Sequence, residues 1–135
     1  MTAVVGGGKT YAQFNNNTWV FGDSAGIRWQ GFPKIPTSFK SQVNWRNGVT
    51  NISDSSGVLL YSTLLNNILP INGYIWNKYH EPVSGANLIK GNSWYHAGLF
   101  LPVPGSDSLI YLFTASVTSS SPYGLYYTTA NYKAN

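Results

Sequence analysis

Turn chemistry interrupts this chain so often that no long helix has room to form. Asp23-Ser24-Ala25-Gly26, Asn47-Gly48, Asp54-Ser55-Ser56-Gly57, Asn72-Gly73, Pro104-Gly105-Ser106-Asp107 and Ser119 to Pro122 are clusters of the residues that turns require. Between them no long stretch keeps apolar residues at a spacing of 3.6. Leu59 to Leu69 is the one leucine-rich exception, and Val58, Tyr61, Ser62 and Thr63 favour a strand followed by a loop even there.

The intervening runs are short and rich in aromatic and β-branched residues. They predict strands near Thr18 to Gly22, Gly26 to Gln30, Val49 to Ser53, Val58 to Thr63, Gly73 to Asn77, Ala97 to Val103, Leu109 to Ser116 and Gly124 to Ala130. The expected fold class is therefore all-β, in antiparallel four-stranded meanders. Two segments echo one another, Asp54 to Thr63 and Gly105 to Thr114: each runs from a polar turn through aliphatic residues and a Tyr to a closing Thr. Such a period suits about two blades of a β-propeller, with a β-sandwich as the alternative. Residues 1–15 are expected to be a flexible leader, and residues 16–135 one structural unit.

Composition narrows the possible partners. Only 9% of the residues are charged, against roughly 25% in an average domain, and the +4 net charge comes from eight scattered Lys and Arg, no two of them adjacent. Nucleic-acid binding wants clustered basic residues, so it is not expected. There is no cysteine, which removes disulfides and thiolate metal sites. No stretch approaches the roughly 20 apolar residues of a membrane span. Gly6, Gly7, Gly8 and Lys9 break the beginning of the chain before any signal peptide can be read in it.

The order of motifs resembles a known family. Asn17 to Ile27 (NTWVFGDSAGI), Ile52 to Thr63 (ISDSSGVLLYST), Ile75 to His80 (IWNKYH), Leu88 to Ser93 (LIKGNS), Leu101 to Ser106 (LPVPGS), Leu109 to Thr114 (LIYLFT) and Gly124 to Tyr127 (GLYY) follow it. Together they resemble the amino-terminal, WD40-like β-propeller region of Bacteroidetes surface proteins exported by type IX secretion or associated with gliding. The resemblance implies an exported, cell-surface or released binding module without catalytic residues, of which this chain is a fragment. Its partner would be a protein or glycan at the cell surface. Trp94-Tyr95-His96 departs from the pattern, where small hydroxylated residues are usual.

Nothing in the chain reads as a catalytic centre. Asp23, Asp54, Glu81 and Asp107 are its whole stock of carboxylates; glycosidase chemistry needs two facing carboxylates, and calcium needs several converging oxygens. No metal or cofactor is expected. The candidate ligand surface is Trp76, Tyr79, His80, Trp94, Tyr95 and His96, because flat rings stack on the apolar faces of sugars while imidazole supplies hydrogen bonds. The alternative function is that of a small carbohydrate-binding or carbohydrate-active sandwich.

A partial propeller carries one physical consequence. Blades bury both faces against their neighbours, so the outermost sheets should show bare apolar faces drawn from Trp19, Phe21, Trp29, Leu60, Tyr61, Trp76, Leu101, Tyr111, Phe113 and Tyr126. Self-association, or packing on missing blades, is expected to cover them.

Overall fold

A computed structural model describes residues 17–30, 35–44, 48–65, 74–86, 89–90, 97–116 and 124–134. It is all-β. Among the described residues nine strands follow in order: β1 (Thr18–Val20), β2 (Ala25–Gln30), β3 (Ile35–Lys40), β4 (Val49–Ser53), β5 (Leu59–Leu64), β6 (Tyr74–Asn77), β7 (Gly98–Pro102), β8 (Leu109–Ser116) and β9 (Gly124–Asn131). They form three antiparallel meanders, β1-β2-β3, β4-β5-β6 and β7-β8-β9.

Among the described residues the strands form three sheets of three, where the sequence led to an expectation of two sheets of four. The strand missing from that expectation is β3, whose Pro36 argues against a sheet position. A proline is tolerated on an edge strand, and β3 is the exposed outer edge of the first sheet.

Local chemistry shapes the hairpins. Asp23 and Ser24 hold φ of 58° and 60°, and the Ala25 amide donates to the Gly22 carbonyl at 3.3 Å. Two successive positive φ values match the right-handed twist of the flanking strands, which suits a tight hairpin. At the next hairpin Asp54 Oδ1 accepts from the Ser56 amide (2.9 Å), the Ser56 hydroxyl (2.7 Å) and the Val58 amide (2.9 Å). Asn77 Oδ1 likewise accepts from the amides of Tyr79 and Glu81, at 2.9 and 3.0 Å.

The sheets stack in chain order through their first strands, β1 beside β4 and β4 beside β7. Both joints use small residues. A Cβ on Gly57 would lie 2.8 Å from Asn17, and one on Gly98 would lie 3.0 Å from Leu65 and 3.1 Å from Thr50. Thr18, buried at the first joint, donates its hydroxyl to the Gly57 carbonyl at 2.9 Å.

The middle sheet feeds two cores. Ile52 pairs with Tyr61 but Ser53 with Leu59, so Leu60 has no partner on β4 and bulges. The bulge turns Leu59 to the opposite face from Tyr61. Leu59 and Leu64 join Val20 and Val43 between the first and second sheets, with Phe39 and Trp76 packed around them. Ile52, Tyr61 and Ile75 join Phe100, Ile110, Leu112 and Ala130 between the second and third.

Among the described residues no further sheet packs on the outer faces of the two end sheets. On the first lie Trp19, Phe21 and Trp29, with Trp19 meeting Phe21 and Trp29 edge-on at 6.3 and 4.6 Å between ring centres. On the third lie Leu99, Leu101, Tyr111, Phe113, Leu125 and Tyr127. Six of the residues expected on bare faces are on them. Leu60, Tyr61 and Trp76 instead pack into the two cores, because a third sheet places the middle one between neighbours. Tyr126 pairs with the buried Thr114 and so lies on the inner face of the third sheet.

Candidate functional site

Of the six residues singled out from the sequence, Trp76, Tyr79 and His80 lie among the described residues. Trp76 lies on β6 with its side chain against the core between the first and second sheets. Tyr79, 65% exposed, lies in the turn after β6, where Lys78 Nζ stands 5.0 Å from its ring centre. Tyr79 also borders a small hollow with Leu60, Tyr61 and Tyr132, on the side facing the third sheet. Trp76 and Tyr79 thus serve opposite sides of the middle sheet. Trp94, Tyr95 and His96 lie outside the described residues.

His80 occupies the same turn in the left-handed region, φ 63°, and its amide donates to the Asn77 carbonyl at 2.9 Å. Its Nδ1 is buried without a hydrogen-bond partner among the described residues.

A cleft of about 460 Å³ opens between the second and third sheets, beside the β4–β5 and β7–β8 turns. Ile52, Leu60, Pro102, Leu109 and Ile110 give it aliphatic walls; Ser53, Asp54, Ser55, Ser106 and Tyr132 supply polar groups. Leu60 and Tyr132 also line the hollow beside Tyr79, so the two depressions adjoin. The bulge at Leu60 therefore helps to shape both. No residue of this cleft was singled out as a ligand contact from the sequence. The signal that could have found it is the echo of the two polar turns, which the fold brings to one end of neighbouring sheets.

The carboxylates near the cleft are already engaged. Asp54 Oδ1 holds its own turn, as described above. Asp107 Oδ2 meets Lys133 Nζ at 2.6 Å, and the Tyr132 hydroxyl donates to the Asp107 carbonyl. The hydrogen bond from Lys133, followed by its charge, holds the Asp107 carboxyl below its usual value, and the same hydrogen bond raises Lys133. Glu81 Oε2 accepts from Asn77 Nδ2 at 3.3 Å. Among the described residues no cluster of three or more His, Asp or Glu side chains could hold a metal ion, and no helix is long and apolar enough to cross a membrane.

No family model matches this chain, and no curated protein and no solved structure matches it.

Proposed function

We propose that this chain is a non-enzymatic binding or structural module of an exported bacterial surface protein, built from consecutive blades of a β-propeller. The observation that carries the reading is the stacking of three meanders in chain order through their first strands, β1, β4 and β7. Blades around a propeller axis meet in this way, whereas a sandwich closes two sheets on each other. Export and surface location rest on the family resemblance of the motifs.

The ligand surface of the module is the cleft between the second and third blades. Aliphatic walls with a rim of hydroxyls suit a neutral oligosaccharide, whose rings offer apolar faces and hydroxyl edges. Asp54, Glu81 and Asp107 are each committed to a contact of their own, which supports binding without turnover.

The test is a titration of the full chain with neutral oligosaccharides, followed by amide chemical shifts, alongside an assay for released reducing ends. Saturable shifts at Ser55, Leu60, Ser106 and Tyr132 without product are expected. Released product would replace this reading with the carbohydrate-active one; the absence of shifts across the panel would remove the oligosaccharide from it.

A further inference from the structure

The two end sheets of the stack expose faces with the composition of a protein interface. The outer face of the third sheet carries Leu99, Leu101, Tyr111, Phe113, Leu125 and Tyr127, and no charged residue among its described positions. Leu99 is 53% exposed, Leu125 74% and Tyr127 68%. Tyr127 stands 5.8 Å from Tyr111 and 6.3 Å from Phe113 between ring centres. On the first sheet the outer face presents Trp19, Phe21, Ile27 and Trp29, with Lys40, at the end of β3, as the one charge among its described positions. Aromatic residues with charge depleted at the centre mark the buried core of protein interfaces.

We infer that two copies of this chain pair head to tail, the outer face of the third sheet of each covering the outer face of the first sheet of the other. The inference rests on the propeller reading and extends it. The contact continues one already made twice inside the chain, where the second sheet packs on the first and the third on the second. A copy placed by the same operation brings unlike faces together, and such a contact is repeated until the assembly closes.

Size favours closure at two copies. Each face offers on the order of several hundred Å² of apolar surface, and a stable interface buries about 800 Å² per partner. A closed pair makes the contact twice, so each chain covers both of its faces. Counting the three sheets of each chain's described residues, it would hold six, within the usual range of about four to eight blades, whereas three copies would exceed that range.

Light scattering on the full chain, the Trp19→Lys variant and the Tyr127→Lys variant tests the inference at micromolar concentrations. The wild type is expected at twice 14.8 kDa, and each variant at the monomer mass, because either substitution spoils both contacts of a closed pair. Phe21→Lys and Leu101→Lys serve as replacements if circular dichroism shows that a first variant has not folded. A monomeric wild type would overturn the inference, as would open-ended growth. Loss of the dimer in variants of only one face would overturn it too, since like faces would then be meeting. Tyr61 and Phe100, stacked at 6.3 Å between ring centres across the second and third sheets, separate the two possible failures. Nuclear Overhauser contacts between them in a monomeric chain would leave the propeller reading standing; their absence would count against that reading itself.

Discussion

Asn51 on β4 grips the backbone of Thr18 on β1. Its side-chain Nδ2 donates to the Thr18 carbonyl at 2.5 Å, and its Oδ1 accepts from the Val20 amide at 2.9 Å. One amide thereby satisfies two backbone groups that β1 turns away from β2, doing for this joint what a paired strand does inside a sheet.

Asn51→Ala should therefore loosen the first sheet from the second. Two partly buried backbone groups lose their partner, at about 1–3 kcal/mol for such losses. Urea unfolding should show the lower midpoint, and amide exchange at Val20 should accelerate more than at Phe100.

Gly57 and Gly105 provide a matched comparison. Both hold positive φ, 88° and 76°, but a Cβ on Gly57 would lie 2.8 Å from Asn17 while one on Gly105 meets nothing within 4 Å. Alanine at Gly105 should cost only the backbone strain, about 1 kcal/mol. At Gly57 the crowding of the joint should add roughly 1 kcal/mol or more. Equal losses in denaturant titrations would mean that Asn17 yields freely.

Ser62 and Thr63 are neighbours on β5 with opposite expectations. Thr63 donates its hydroxyl to the Tyr74 carbonyl at 2.6 Å, so Thr63→Val should destabilise by about 1 kcal/mol. The buried Ser62 hydroxyl has no partner among the described residues, and Ser62→Ala should be neutral or stabilising. Thermal unfolding of the two variants side by side checks the contrast.

Asp107 and Lys133 form an exposed pair whose effect is one of titration rather than of appreciable stability. The lowered Asp107 carboxyl contributes above its unfolded value of 3.8, and that contribution fades as pH falls through its folded value. The raised Lys133 contributes below 10.5 and loses its share as pH rises through its own folded value. Replacing Lys133 with Met should return the Asp107 titration, followed by carbon-detected nuclear magnetic resonance, towards 3.8. An unchanged titration would show that the pair does not persist in solution.

Much of the local structure was legible in the chain. Strands expected at Gly26 to Gln30, Val49 to Ser53 and Leu109 to Ser116 match β2, β4 and β8 within a residue or so, because alternation and turn chemistry act over a few neighbours. β3 was hidden by Pro36, whose tolerance depends on a sheet edge that only the pairing creates. The repeat was half legible. Thr63 and Thr114 are buried and each donates a hydroxyl to a carbonyl, but Tyr61 is in the core while Tyr111 lies on the outer face of the third sheet. Stacking is the reason: Tyr61 faces the third sheet, which packs on it, whereas Tyr111 lies on that third sheet's own outer side. Among the candidate ligand residues, neither the turn that Asn77 closes around Tyr79 and His80 nor the side of the sheet that Trp76 faces was named from the sequence.

The sequence by itself determined an all-β chain, with hairpins whose Asp, Asn, Ser and Gly residues bend the backbone through bonds to near neighbours. The tertiary structure alone decided that the strands divide into three sheets, that the middle one is covered on both sides, and that a cleft lies beside two echoing turns. Those outcomes depend on contacts between residues distant in the chain, such as Asn51 with Thr18 and Tyr61 with Phe100. Their free energy arises only when whole sheets meet, and no short window of residues contains it.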